Sequence, residues 1–207
     1  MMNIAVLVSG GGTNLQALID YEKNNKDCPY SIAIVVSNTK NAYALERAKK
    51  TDIPSFVCSP YSVLGAERAK SADRDTKRIE VSNAVLKLCK EHKVDAIVLA
   101  GYLSVLGGDI LAEYKDRIIN LHPALLPKFG GVGMWGDNVH KAVLSSGEKE
   151  SGCTVHIVDS GCDTGRILVQ KKVPVLEDDS VESLYARIAP KEHEAIVEGT
   201  CLLAKSF

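Results

Sequence analysis

The chain has 207 residues, 45% hydrophobic and 25% charged, with 25 Lys+Arg against 26 Asp+Glu and a formal net charge of −1. That length suits one domain with a sizeable core rather than a disulfide-stapled miniprotein. The charge balance gives no general attraction to nucleic acid or an anionic membrane, and no apolar run approaches the roughly 20 residues that span a bilayer.

The N-terminus has no basic region ahead of its apolar stretch, so Ile4 to Ser9 reads as a first strand and not as a signal peptide. Leu15, Leu18 and Ile19 then share one face of a helix over Leu15 to Tyr21. Ile32 to Val36 is a second strand, Ala42 to Lys50 a helix, and Pro54 to Cys58 a short third strand. Ser59 to Asp73 mixes small and polar residues and is expected to be a loop or a frayed helix. Thr76 to His92 is amphipathic, with Ile79, Ala84, Leu86 and Leu88 among its apolar positions. Val94 to Ala100, Arg117 to Leu121, Thr154 to Val158 and Ile167 to Val175 are further strands. Ser180 opens a last helix through S-x-x-S rather than a full capping box, with an interruption expected near Pro190.

Apolar strands alternating with helices predict an α/β class and a mostly parallel sheet covered on both faces. With no repeat or linker in the chain, one domain over residues 1–207 is expected. The six cysteines (Cys28, Cys58, Cys89, Cys153, Cys162, Cys201) form no C-x-x-C pair. That spacing argues against a zinc ribbon or redox dithiol and for reduced, mostly buried thiols in a cytoplasmic protein.

In such sheets ligands sit beyond the carboxyl ends of the strands, which singles out three segments. Ser9-Gly10-Gly11-Gly12-Thr13-Asn14 joins a strand to a helix, where free N–H groups and the helix dipole suit a phosphate. A tight turn capped by Thr13 or Asn14 fits the same residues. A dinucleotide fingerprint fits poorly, because its third glycine falls at Leu15 and the second strand ends in Ser37-Asn38 without an acid. Asn120-Leu121-His122-Pro123 places an amide and an imidazole on one side of a strand end, which Pro123 then turns out of the sheet. A single histidine also suits a structural bond; paired with an asparagine at a strand terminus it points to chemistry. The third segment, Gly152 to Gly165, runs a strand into an acid- and glycine-rich loop in which Asp159 and Asp163 also suit turns.

Together S-G-G-G-T-N-L-Q-A-L, A-G-Y-L at 100–103, N-L-H-P-A-L-L-P and G-C-T-V-H-I-V-D-S-G-C-D-T-G resemble, in order and spacing, the phosphoribosylglycinamide formyltransferases of purine synthesis. The resemblance covers essentially the whole chain and implies a single Rossmann-like formyltransferase domain, with the sugar-phosphate site in the N-terminal half and the folate site in the C-terminal half. It implies 10-formyltetrahydrofolate as cosubstrate, no metal, small-molecule partners only, and a monomer or homodimer. Direct attack by the glycinamide amine on the formyl carbon would pass through a tetrahedral centre, with no covalent enzyme intermediate. Asn120, His122 and Asp163 match the catalytic positions, Asp163 being expected to keep His122 protonated near neutrality. Gly12, Thr13, Asn14, Leu15, Gln16 and Glu192 match the sugar-phosphate contacts, although Glu192 also suits a solvated helix face. Arg78 matches the residue facing the folate carboxylates, with Arg74 and Lys77 close by. Leu103, Ser104, Val105 and Leu106, with Asn120 and the loop Asp159, Ser160, Gly161, Cys162 and Asp163, match the pterin pocket.

Several positions depart from the family pattern. Many members have arginine at the position of Ser104 and leucine at that of Cys162, changes expected to act on folate affinity. Residues 128–137 are longer than in short versions and hold four glycines, which suits a mobile lid, with Trp135 either part of it or an anchor on the domain. His140, His156 and His92 are expected to be structural: a helix residue, a core hydrogen-bonding residue and a helix-closing residue. A methionyl-tRNA formyltransferase would share Asn120, His122 and Asp163 but is expected to add a C-terminal RNA-binding domain. A formyltetrahydrofolate hydrolase is expected to add an N-terminal one. A catalytically silent sugar-phosphate-binding module is the reading from a different class.

Overall fold

The computed structural model describes residues 1–206. Its strands are β1 (Met2–Val8), β2 (Tyr30–Ser37), β3 (Ser55–Val57), β4 (Ala96–Leu99), β5 (Ile118–His122), β6 (Glu150–Ile157) and β7 (Ile167–Pro174). Its helices are α1 (Thr13–Asn24), α2 (Tyr43–Lys49), α3 (Pro60–Ser71), α4 (Arg74–Glu91), α5 (Asp109–Glu113), α6 (Asp137–Ser146) and α7 (Val181–Ala204). The strands form one sheet in the order β3-β2-β1-β4-β5-β6-β7. Strands β1 to β5 are mutually parallel, and β6 and β7 close the edge in antiparallel pairs.

Period-two alternation splits β1 between two cores. Ile4, Val6 and Val8 face α1 and α7, whose Leu15, Leu18, Leu184, Ile188 and Ile196 fill one layer. Ala5 and Leu7 face α4 and α5, with Val81, Val85, Leu86, Cys89 and Ile110 in the other. Both faces of the sheet are therefore helix-covered, as continuous apolar strands require. The chain winds outward from β1 through β2 to β3, then returns to the other side for β4 and β5. The carboxyl ends of β1 and β4 thus flank a topological switch point, where α/β sheets leave a crevice.

Four expectations change. Residues 60–71 are helical, capped by Ser59 with Pro60 in the first turn; Gly65, at φ 75° and ψ 166°, breaks the helix in two and hides its periodicity. Ile79 is 39% exposed, and the buried face of α4 runs through Val81, Ser82, Val85, Leu86 and Cys89. Helix α7 continues through Pro190, because packing along α1, β6 and β7 supports the turn that lacks one N–H. Its N-terminus does carry a reciprocal capping box, with the Ser183 hydroxyl in the role usually taken by Glu or Gln. Of the cysteines, Cys58, Cys89 and Cys153 are buried, Cys28 and Cys201 half-buried and Cys162 exposed. Among the described residues, no helix is long and apolar enough to cross a membrane.

Candidate active site

The glycine-rich turn after β1 ends at Gly12, which caps α1 in the left-handed region at φ 72° and ψ 33°. A Cβ at Gly12 would lie 2.6 Å from the Ala44 Cβ, so glycine is required by both conformation and space. No side chain caps α1 and no acid occupies its first turn, which leaves the helix N-terminus suited to an anion. Neither Thr13 nor Asn14 caps it. Helix α2 fixes the turn from outside: Ala44 N–H donates to the Gly10 carbonyl (3.1 Å) and Arg47 Nε to the Gly11 carbonyl (2.8 Å). Arg47 also donates to Gln16 Oε1 at 3.0 Å. Leu15 is wholly buried in the core, so only its backbone faces this turn.

Asn14 and Glu192 meet here across 178 residues of chain. The Asn14 amide donates to Glu192 Oε2 at 3.2 Å, and both side chains are buried. Burial pushes the Glu192 carboxyl above the usual carboxylate range, against the opposing effect of the Asn14 bond. The Asn14 carbonyl oxygen is buried without a partner. Glu192 is thus a core-side residue, not a solvated one.

The second group forms where β5 meets β6. In their antiparallel register Asn120 stands opposite His156, and His122 opposite Thr154. The following loop leaves β6 beside the start of β5, with Val158 N–H bonded to the Ile118 carbonyl, then folds back so that Asp163 reaches the far end of β5. Asp163 Oδ2 lies 3.6 Å from His122 Nδ1, and Oδ1 lies 3.5 Å from His156 Nε2. Asn120 Nδ2 is 3.2 Å from the same His156 nitrogen. The Ile157 carbonyl accepts from His156 Nδ1 at 2.9 Å, which fixes that proton and leaves Nε2 to accept from Asn120. Asn120, His122 and Asp163 therefore do converge, with Asp163 held at φ 57°.

The expected protonation of His122 is reversed. Burial pulls its imidazole below the ordinary histidine range, outweighing the Asp163 carboxylate and the Phe129 carbonyl, which favour the charged form. Burial also disfavours the Asp163 anion, but the Gly131 N–H bond (3.0 Å) and the His156 and His122 rings beside it, which favour the anion when charged, outweigh that, and its pKa lies below the usual carboxylate range. The two shifts conflict over the charge on His122. We hold Asp163 ionised and His122 neutral at rest, because the Gly131 bond stabilises the anion whatever the imidazole carries. His122 Nε2 donates to the Phe129 carbonyl at 2.8 Å.

The residues expected to contact folate lie on the same sheet end. Leu103 and Val105 are 61% and 60% exposed, whereas Leu106 is buried in the core and is no wall residue. Arg78 on α4 pairs with Asp75 at 3.2 Å, and its guanidinium lies against Gly107. Its Nε is buried without a partner. Asp159 accepts from Gly161 N–H (2.9 Å) and from the Thr164 hydroxyl (2.7 Å), so its side chain is the turn former that the sequence also allowed. Ser160, Gly161 and Cys162 are exposed on that turn, and the Cys162 thiol is 3.8 Å from Asp163 Oδ2. Trp135 is 58% exposed and is not buried against the domain.

Two features of the cluster were not foreseen. His156 is the buried, hydrogen-bonding residue expected, but its place between Asn120 and Asp163 was not visible, because its partner strand was not. Phe129 and Gly131 bring the glycine-rich loop onto His122 and Asp163 through backbone groups, which leave no signature in side-chain identity. His140 is a buried α6 residue tilted against Tyr185, and His92 closes α4 beside Phe56, as expected of structural histidines.

Residues 2–200 match the family described as formyl transferase. The trifunctional purine biosynthetic protein adenosine-3 of Drosophila melanogaster is 41% identical over 210 residues, covering 97% of this chain. The chain spans only 14% of the length of that relative. A phosphoribosylglycinamide formyltransferase of Haemophilus influenzae is 37% identical over 194 residues, 94% of this chain and 83% of that protein. The crystal structure of glycinamide ribonucleotide transformylase 1 from Symbiobacterium toebii superposes with a TM-score of 0.87 at 36% identity, over 100% of this chain and 89% of that one. The chain belongs to the formyl transferase family.

Proposed function

We propose that the protein transfers a formyl group from 10-formyltetrahydrofolate to the amine of 5′-phosphoribosylglycinamide, as a single formyltransferase domain of the cytoplasm acting on small molecules. The phosphate sits on the N-terminus of α1 at Gly12, Thr13 and Asn14, with the Leu15 backbone and Gln16 behind, and Glu192 beside the ribose and glycinamide. The pterin packs on Leu103 and Val105, with Ser104 and the backbone of Asp159 to Asp163 along its polar edge, and Arg78 faces the carboxylate tail. The exposed apolar pair suits a flat ring, and the loop offers both donors and acceptors.

Attack by the amine on the formyl carbon makes a tetrahedral centre whose oxygen turns negative. Asn120 donates one bond to that oxygen from the N–H not used by His156. His122 donates the other once the formyl oxygen replaces the Phe129 carbonyl as acceptor of the Nε2 proton. Asp163 takes the proton lost by the amine and passes it through water to N10 as the C–N10 bond breaks. The negative charge developing on that oxygen strengthens the bond it accepts from the His122 Nε2–H, so the imidazole acts as a neutral donor and gains no proton.

What carries this reading is the meeting of Asn120, His122 and Asp163 within hydrogen-bonding or ion-pair reach through His156. The test is a turnover assay with 10-formyltetrahydrofolate and glycinamide ribonucleotide, with formylated ribonucleotide as the expected product. His122→Ala is expected to lower turnover by about 10²–10³-fold, the usual cost of one oxyanion donor. Ribonucleotide binding without product in the wild type would instead leave a silent sugar-phosphate module.

A further inference from the structure

Between β4 and α5 the chain runs without regular structure, yet it is fastened at successive points. The Ala100 N–H donates to the Leu7 carbonyl at 2.9 Å. Leu103 N–H donates to the Ser9 hydroxyl at 2.8 Å. Asn38 Nδ2 donates to the Ser104 hydroxyl at 2.6 Å, and Gly107 N–H to the Ser82 hydroxyl at 3.0 Å. These partners come from the ends of β1 and β2 and from the middle of α4.

Of these, Ser82 has no other evident reason to be polar, and Asn38 is aimed by a local turn. Ser82 is almost wholly buried on a face of α4 otherwise made of Val81, Val85, Leu86 and Cys89, where an unpaired hydroxyl is costly. Asn38 stands where β2 ends, held by a local turn. The buried Ser37 hydroxyl accepts from Thr39 N–H (3.0 Å) and donates to the Thr39 carbonyl, while the Thr39 hydroxyl donates to Asn38 Oδ1. The amide of Asn38 is thereby aimed at Ser104, 66 residues along the chain.

The fastening decides which side chains face outward. Tyr102 and Leu106 are buried beneath the segment, and Leu103 and Val105 are left on its outer side. An apolar pair exposed on a flexible strand would turn inward; held at both flanks, it remains presented to the crevice. We propose that Asn38, assisted by Ser82, is a positioning residue that sets affinity for the folate by holding Ser104 and thereby the Leu103–Val105 surface. This rests on the reading of that surface as the pterin wall, and it adds two residues that touch no substrate.

Calorimetric titration of the full chain with a 10-formyl folate analogue tests it. Asn38→Ala is expected to weaken binding about three- to tenfold, the range for loss of one well-made hydrogen bond. Ser104→Ala should weaken it as well, and the double variant should be no weaker than the worse single one, because the two side chains act through one bond. Asn38→Asp, which exchanges the donating amide for an oxygen to which the Ser104 hydroxyl can donate in turn, should restore affinity to within about twofold of the wild type. Ribonucleotide affinity and kcat at saturating folate should stay unchanged in Asn38→Ala. Wild-type affinity in Asn38→Ala, multiplied losses in the double variant, or a matching loss of ribonucleotide affinity would each overturn the proposal. A wild-type protein that fails to bind the analogue at all would instead sink the folate reading, and the role of Asn38 with it.

Discussion

A proton on His122 has two neighbours with opposite effects: the apolar interior that disfavours it and the Asp163 carboxylate that favours it. Burial prevails, so an NMR titration of His122 should show a midpoint below the ordinary histidine value of about 6.5. Asp163→Asn removes a contribution that raises this pKa, and the midpoint should fall further; a midpoint that stays or rises would mean the carboxylate does not act on the ring. For stability the sign follows from proton counts. Between the lowered native value and about 6.5 the unfolded chain binds more protons at this histidine, so stability drops as pH falls through that window. Asp163, also lowered, contributes stability that is complete above about 3.9 and is lost as pH falls through its native value. Both residues therefore weaken the fold on the acid side. Asn120 and His122 could be read from their shared parity at a strand end, whereas Asp163, which its own loop leaves equally as a turn former, is singled out only by the family resemblance. The role of His156 could not be read, since it comes from standing opposite Asn120, and register between two strands is not written in either of them.

Helix α7 supplies Glu192 from one side while lying against β6 on the other, and Gly199 makes that approach possible. A Cβ at Gly199 would lie 2.5 Å from Val155 Cγ1, on the strand that carries His156. Gly199→Val should cost about 1–3 kcal/mol through overpacking, and calorimetric unfolding should show the lower melting temperature. An unchanged melting point would mean that α7 stands off β6 more freely than this contact implies. Glu192→Leu is a different perturbation on the same helix. It leaves Asn14 without its carboxylate partner and should weaken ribonucleotide binding about tenfold or more, while folate-analogue binding is retained. Element by element, the sequence was clearest where apolar runs were long, as in β1, β2 and β4. It was least clear in α3, where Gly65 interrupts the period, and in α6, whose start follows a glycine-rich stretch without a capping side chain.

The alternation of strands and helices announced a parallel sheet with two covered faces, and the switch point followed from that. The reversal of β6 and β7 did not, because side-chain alternation has the same period whichever way a strand runs. That reversal matters for the site. It places His156 beside Asn120, and it sends the loop carrying Asp163 back across the sheet to His122. The proposed sugar-phosphate and folate residues also interleave along the chain, with Arg78 before and Glu192 after the catalytic stretch, so ligand binding ties distant segments together. Glycinamide ribonucleotide at about 100 times its Kd should therefore stabilise the fold by about 2.7 kcal/mol, which for a domain of this size is a rise in Tm of roughly 5–10 °C. No shift at saturation would show that the α1 turn does not hold the ribonucleotide.

The most direct measurement compares Asp163→Asn with the wild type in two quantities at once: kcat for formyl transfer and Kd for glycinamide ribonucleotide. The substitution keeps the size of the side chain and removes the base. A fall in kcat of about 10²-fold or more, with Kd within about threefold of the wild type, is expected. A comparable loss in both would identify Asp163 as a structural residue, and undiminished turnover would place the chemistry elsewhere in the molecule.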